Sequence, residues 1–262
     1  MSILSSFPID PMAYVDQYCE RLAPGLFMEP FNLFSNIPFI LIGIWQYRRS
    51  RRSTEKVLGI LAFLVGVGSM MFHAFATRWA QAMDVLPIAI LIFTFLFYYQ
   101  VRILKSRHWV AILGLLGVVG SSVLAVRFLD DPVYNGSQAY FGVGLGLTVL
   151  AYRERHEVRR WLFLSLILFG FALVARMADP AICFRFIVGS HFVWHLFTAA
   201  SLMCAFRSLR VPHMNYLPKT NKQVKNLVIH VPKEDLSFLS RTHNKTKKRK
   251  KSSIKRFHGK SK

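Results

Sequence analysis

Three histidines are the residues in this chain best suited to chemistry. His191 and His195 stand four apart, so on a helix they share a face and can approach one ion together. His73 closes the stretch Gly68-Ser69-Met70-Met71-Phe72-His73, and Asp84 follows eleven residues later. Three histidines that leave one position open form the ligand pattern of catalytic zinc, where a bound water completes the tetrahedron. Such a metal makes its water acidic and polarises a carbonyl. Asp84 is then placed to accept the water's proton or to orient the water. Ser69 is placed to donate a hydrogen bond to a developing oxyanion.

Each residue also has an ordinary reading. A lone His-x-x-x-His on a membrane helix more often serves hydrogen bonding between helices, or anchoring at the interface, than metal binding. Trp194 beside it fits an aromatic belt. Asp84 could pair with Arg78 or Arg176, and Ser69 could be a small packing residue between helices. What favours the joint reading is depth, and depth follows from the elements that carry these residues.

Those elements read as membrane helices. The chain has 262 residues, 53% of them hydrophobic. Its apolar residues gather into the runs 33–47, 57–75, 82–104, 109–128, 136–152, 160–177 and 189–207. A bilayer core asks for about 20 predominantly apolar residues per helical span. No run alternates with a period of two, and in lipid a helix satisfies its backbone within the segment. The expected fold is therefore all-α, a seven-transmembrane helix bundle spanning 31–210. A segment 1–30 precedes it, without an apolar core of signal-peptide length, and a tail 211–262 follows. At about 1.5 Å per residue, His73, Asp84, His191 and His195 all fall within about 10 Å of one face of the hydrocarbon core. Ionisable groups in a span are costly, so this agreement among three helices asks for a shared purpose.

Charge sets the expected orientation. Basic residues crowd the loops after the first, third and fifth spans, among them Arg48, Arg49, Arg102, Lys105, Arg159 and Arg160. The positive-inside rule puts these loops and the C-terminus in the cytoplasm and the histidines near the opposite face. The tail from Val211 holds 15 of the 34 basic residues. It reads as a disordered cytoplasmic segment lying on anionic lipid. Nucleic-acid binding would use the same charges, but no aromatic interleaving supports it. Cys19 and Cys183 both fall on the non-cytoplasmic side, where a disulfide would persist if their Cα atoms lie close enough. Gly142, Gly144 and Gly146, and likewise Gly114, Gly117 and Gly120, read as places of close helix packing.

At these residues the sequence resembles the alkaline ceramidase family, especially its bacterial branch. That family sits within a wider group of seven-helix metal hydrolases that includes the adiponectin receptors. The matching motifs are Tyr18-Cys19-Glu20, Glu29-Pro30-x-Asn32-x-x-Ser35-Asn36, Gly68-Ser69-x-x-x-His73 with Asp84, Arg176-x-x-Asp179-x-x-x-Cys183, and His191-x-x-Trp194-His195. The resemblance implies Zn2+ held by His73, His191 and His195, with Ser69 and Asp84 completing the site. It implies hydrolysis of the amide of a ceramide-like membrane lipid to a fatty acid and a sphingoid base. The bacterial flavour of the motifs favours a bacterial inner membrane over a secretory-pathway membrane. Animal members bind calcium through an N-terminal Asp-Trp-Cys-Glu-x-Asn cluster and a later Glu. Here Gln17, Tyr18 and Leu22 stand at the Asp, Trp and Asn positions, so the resemblance carries zinc over but does not carry calcium over. Glu20 and Glu29 are then available to tie the N-terminal segment to Arg21 or Arg176. Beside the amidase stand a related lipid esterase or acyl-remodelling enzyme and a non-enzymatic receptor with a structural zinc. A channel is disfavoured, because no charged residues run through the middle of the spans.

Overall fold

The computed structural model describes residues 10–210. The basic tail assigned to anionic lipid lies outside the described residues. Among those described there are seven helices of 13 residues or more and no strand. They are α1 (Ile37–Arg49), α2 (Ser53–Phe75), α3 (Arg78–Tyr98), α4 (His108–Phe128), α5 (Phe141–Arg153), α6 (His156–Ile182) and α7 (His191–Ser208). A one-turn helix, Pro30–Phe34, leads into α1, and a π-helical turn, Tyr99–Ile103, extends α3. Each helix packs on its neighbours in sequence, and α1 meets α7 to close the ring.

Four of the helices are long and apolar enough to cross a membrane: α2, α3 with its π turn, α4 and α6. The protein is a membrane protein, and its surface agrees. Leu41, Leu64, Leu113, Leu116, Val123 and Phe171 point outward from the bundle, where water would penalise them and lipid does not. The core is a column of large apolar side chains, including Leu58, Phe95, Leu96, Leu162 and Phe206. Helices α1 and α5 hold 13 residues each, so each rises about 20 Å against a hydrocarbon core of about 30 Å.

Two prolines lie inside helices. Pro87 has no N–H to give to the carbonyl four residues earlier, that of Met83. That freed carbonyl faces Gly68 of α2, where a Cβ would come within 2.0 Å of it. Glycine at 68 therefore lets α2 and α3 touch backbone to backbone, just where Ser69 and Asp84 stand. Pro180 in α6 likewise frees the carbonyl of Arg176, and the Asn135 side-chain amide donates to it at 2.8 Å.

The glycine reading holds only in part. Gly142 packs hard on α4, since a Cβ there would lie 2.0 Å from the Val118 carbonyl oxygen, and Gly114 lies against Gln100. Gly117, Gly120 and Gly144 have no such neighbour within 4 Å. A side chain at these three would meet open space, so close packing does not account for them.

A paired test follows. Gly142→Ala should destabilise the protein by about 1–3 kcal/mol, because the carbonyl it meets is backbone and cannot swing aside. Gly117→Ala should be neutral or stabilising by up to about 1 kcal/mol, from helix propensity alone. Thermal unfolding in detergent reads both, and a larger loss for Gly117→Ala would contradict the packing described.

Candidate metal centre

The site is built where the ends of α2, α3, α6 and α7 meet the segment 10–36. The last turn of α2 carries His73, and the helix stops at Ala76, whose left-handed backbone (φ 46°) turns the chain into α3. The N-terminal segment follows this turn. The Val15 amide donates to the Ala76 carbonyl and the Phe27 amide to the Ala74 carbonyl, at 2.8 and 3.1 Å.

Helix α7 is aimed by a carboxylate from another helix. Asp179 of α6 accepts from the backbone amides of Ser190 and His191 at 2.7 and 2.9 Å, satisfying two donors that a helix start leaves open. Its other oxygen accepts from the Cys19 amide at 3.2 Å. Gly189 precedes these amides with φ 67°, and a Cβ there would lie 2.2 Å from the Asp179 carboxylate, so only glycine fits. Cys19 and Cys183 are disulfide-bonded, with Cα atoms 5.3 Å apart, which closes the question that spacing left open.

These supports bring His73, His191 and His195 together. All three are buried, and each offers a ligand atom within 4.8 Å of the others. Ring centroids lie 4.6–5.3 Å apart. Tyr18 stacks on His191 at 3.6 Å, and burial pushes the Tyr18 phenol up, so it stays protonated.

Hydrogen bonds fix two of the rings. The Glu29 carboxylate lies 2.6 Å from His73 Nδ1, which therefore carries the proton. The Nε2 of His73 is buried with no partner among the described residues. Ser35 gives its hydroxyl proton to the Asn32 carbonyl, so its oxygen accepts from His195 Nδ1 at 2.7 Å. With Nδ1 protonated, each ring carries its lone pair on Nε2, the arrangement in which an outer hydrogen bond orients a metal-binding histidine. The donor set and the orphaned nitrogen fit a metal ion that takes nitrogen ligands.

Glu29 is itself held. Its carboxylate pairs with Arg21 and accepts from Asn32 Nδ2 at 3.0 Å. Burial alone would raise its pKa, but the contacts from His73, Asn32 and Arg21 win and hold it below its ordinary value. Arg21 also donates to the carbonyls of His73 and Gly25, at 2.9 and 3.1 Å. Glu20 accepts from the backbone amides of Phe31 and Asn32, at 2.7 and 2.8 Å. Of the two partners expected for the acidic pair, the structure uses Arg21 and not Arg176.

Ser69 and Asp84 line the same cavity as His191 and His195. The Ser69 hydroxyl faces the Asp84 carboxylate, whose Oδ1 is out of reach of solvent and has no partner among the described residues. Asp84 forms no ion pair with Arg78 or Arg176. Trp194 does not face lipid. It is buried against Tyr140 and Phe169, and the Arg176 guanidinium lies 5.5–6.0 Å from the rings of Tyr18, Tyr140 and Trp194. Arg176 thus places a fixed positive charge on the cavity wall. Ser35 and Asp179 stand within the matching motifs with no role assigned to them from the sequence, and Arg176 was read only as a partner for Asp84 or the acidic pair. For Ser35 and Asp179, motif membership was the signal available, and nothing in it named their partners.

Comparison with known proteins identifies the family. A family model described as Ceramidase matches residues 17–233. Among curated proteins, Alkaline ceramidase 1 of Homo sapiens is 24% identical over 222 residues, covering 76% of this chain and 80% of its own length. A match over so much of the bundle, taking in all three histidines, shows that the chain belongs to the ceramidase family, hydrolases of an amide bond.

Proposed function

We propose that this protein is a zinc-dependent membrane amidase that hydrolyses ceramide or a ceramide-like lipid to a fatty acid and a sphingoid base. One observation carries the reading. Three buried histidines converge, two of them with Nδ1 held by Glu29 and Ser35, and His191 and His195 line a largely apolar cavity together with Asp84. A soluble amide would not need that cavity, whereas an acyl chain would fill it.

His73, His191 and His195 would hold the zinc, which when bound polarises the amide carbonyl and makes its water acidic. Asp84 takes a proton from the attacking water as the new carbon–oxygen bond forms. It returns that proton to the nitrogen as the carbon–nitrogen bond breaks, so the amine leaves neutral. Ser69 orients Asp84 at rest and, from the wall of the same cavity, donates to the developing oxyanion. Glu29 and Ser35 keep the ring protons on the outer nitrogens. Arg176, with Tyr18 and Tyr140, sets a positive potential on the wall where negative charge develops.

The setting proposed is a bacterial inner membrane, with all seven helices crossing it. The histidine end faces outward and the C-terminus faces the cytoplasm. The alternation of basic loops supports this orientation, and so does the Cys19–Cys183 disulfide, which a reducing cytoplasm would not preserve.

Three measurements test the reading. Purified wild-type protein should carry one zinc per chain and release fatty acid from a fluorescent ceramide. His195→Ala should lose both, while Asp84→Asn should keep the zinc and lose at least about a hundredfold in kcat. Full turnover by Asp84→Asn would remove the proton-transfer role, and metal-free active protein would sink the zinc. Glu29→Gln should weaken zinc affinity by about 10–100-fold in a chelator competition, with the fold kept. Peptide mapping of protein alkylated in intact cells should find Cys19 and Cys183 joined and Cys204 free. Two reduced cysteines there would turn the topology over.

A further inference from the structure

Helix α3 runs from the metal end of the bundle to the opposite end, where it borders another cavity. This crevice, of about 510 Å³, lies where the end of α3 and its π turn meet the starts of α2 and α4. Its lining divides by chemistry. Phe93 and Phe97 wall the part nearer the middle of the bundle, and Thr54, Arg102 and His108 stand at the rim. From Phe93 to Arg102 is nine residues, about 13 Å along the axis. A hydrocarbon core of about 30 Å gives each leaflet about 15 Å. The crevice therefore has the depth of one leaflet, polar at the rim and apolar beneath.

The rim is a place for an anion. Arg102 is exposed there and forms no ion pair among the described residues. His108, packed on the Phe97 ring with centroids 6.1 Å apart, offers a ring N–H, and Thr54 offers a hydroxyl. The acid beside this wall is already engaged. Tyr98, which lines the crevice, gives its hydroxyl proton to Glu55 at 2.7 Å, and Arg52 pairs with the same carboxylate at 3.5 Å. Arg52 also reaches the Tyr98 hydroxyl at 3.3 Å, so a second guanidinium stands close by. Lys105 and Arg107 add two more positive charges to the short link between Arg102 and His108. A cation among aromatic side chains at the edge of lipid is costly unless an anion meets it. The π turn that carries Arg102 is an uncommon conformation, found frequently at functional sites.

We infer that this crevice binds an anionic phospholipid, with its phosphate on Arg102, His108 and Thr54 and an acyl chain along Phe93 and Phe97. In the orientation proposed above, that lipid belongs to the cytoplasmic leaflet. The site lies at the other end of the bundle from the histidines and does not depend on the amidase reading. A soluble anion would use the rim alone, whereas the two phenylalanines beneath it match a ligand with a hydrocarbon chain. The site is also distinct from the basic tail, whose charges would attract the same lipids without a crevice.

The test uses the purified full chain, stripped of lipid in neutral detergent, as wild type, Arg102→Gln, His108→Gln and Thr94→Trp. The probes are dioleoyl phosphatidylglycerol, dioleoyl phosphatidylcholine and inorganic phosphate. Native mass spectrometry counts bound lipid, and thermal unfolding reads stabilisation. Wild type should hold one phosphatidylglycerol at least about tenfold more tightly than phosphatidylcholine. Arg102→Gln should weaken phosphatidylglycerol about fivefold, the effect of one basic side chain, and leave phosphatidylcholine unchanged. His108→Gln should weaken it in the same sense. Thr94 lines the apolar part, so Thr94→Trp should fill that part and weaken both lipids. Equal retention of the two lipids by wild type, or a preference left intact by both rim variants, overturns the inference. Inorganic phosphate stabilising wild type as well as phosphatidylglycerol does would overturn the lipid as the ligand. A preference lost instead in a Lys247→Gln, Lys248→Gln, Arg249→Gln variant would place the binding on the tail and overturn the crevice.

Discussion

The hydrogen bond between Glu29 and His73 is the interaction on which the site depends. A neutral imidazole can present either nitrogen, and two neighbouring helices alone cannot decide which. A buried carboxylate beside Nδ1 decides it. The carboxylate in turn would be costly to bury alone, so Arg21 and Asn32 share it. Arg21 then reaches the His73 carbonyl, which returns the network to the helix it started from. Removing any member leaves a buried polar group without its partner, which is why the segment 10–36 belongs to the site as much as the helices do.

Backbone exceptions supply the rest of the precision. Pro87 and Pro180 each free a carbonyl, and each freed carbonyl lies where the site needs an unusual contact. Met83 lets α3 meet Gly68, which brings Ser69 against Asp84. Arg176 is tied to Asn135 both through its backbone carbonyl and through its side-chain Nε, and its guanidinium also lines the cavity. Gly189 admits Asp179 to the start of α7, and the same carboxylate reaches the Cys19 amide. A disulfide, a helix start and a metal-binding face thus meet around one aspartate.

The cavity explains the choice of a membrane bundle for such chemistry. Ring closure between α1 and α7 leaves space inside the helices, and apolar side chains make that space costly for water and favourable for a hydrocarbon chain. The polar groups are confined to one end, except for Ser165, Ser201 and Thr198. Polar groups kept to the reacting end let binding of the chain and orientation of the amide use separate parts of the protein.

Much of this was legible in the sequence. Helical periodicity and hydropathy are local properties, so the seven runs and their ends came within a few residues. The sixth was the least accurate, because α6 extends to Ile182 through Pro180, with its freed carbonyl satisfied by Asn135. That His191 and His195 share a face was legible because four residues make about one helical turn, and depth counting put His73 and Asp84 at the same level. The partners that make these residues a site were not legible. Glu29 meets His73 across 44 positions and Ser35 meets His195 across 160. Trp194 turned inward, not toward lipid, because Tyr140 and Phe169 receive it there. Local sequence determined which segments are helices and which faces are polar. Only the folded chain decided which polar groups meet, because a hydrogen bond depends on a separation of about 3 Å that no spacing along the chain encodes.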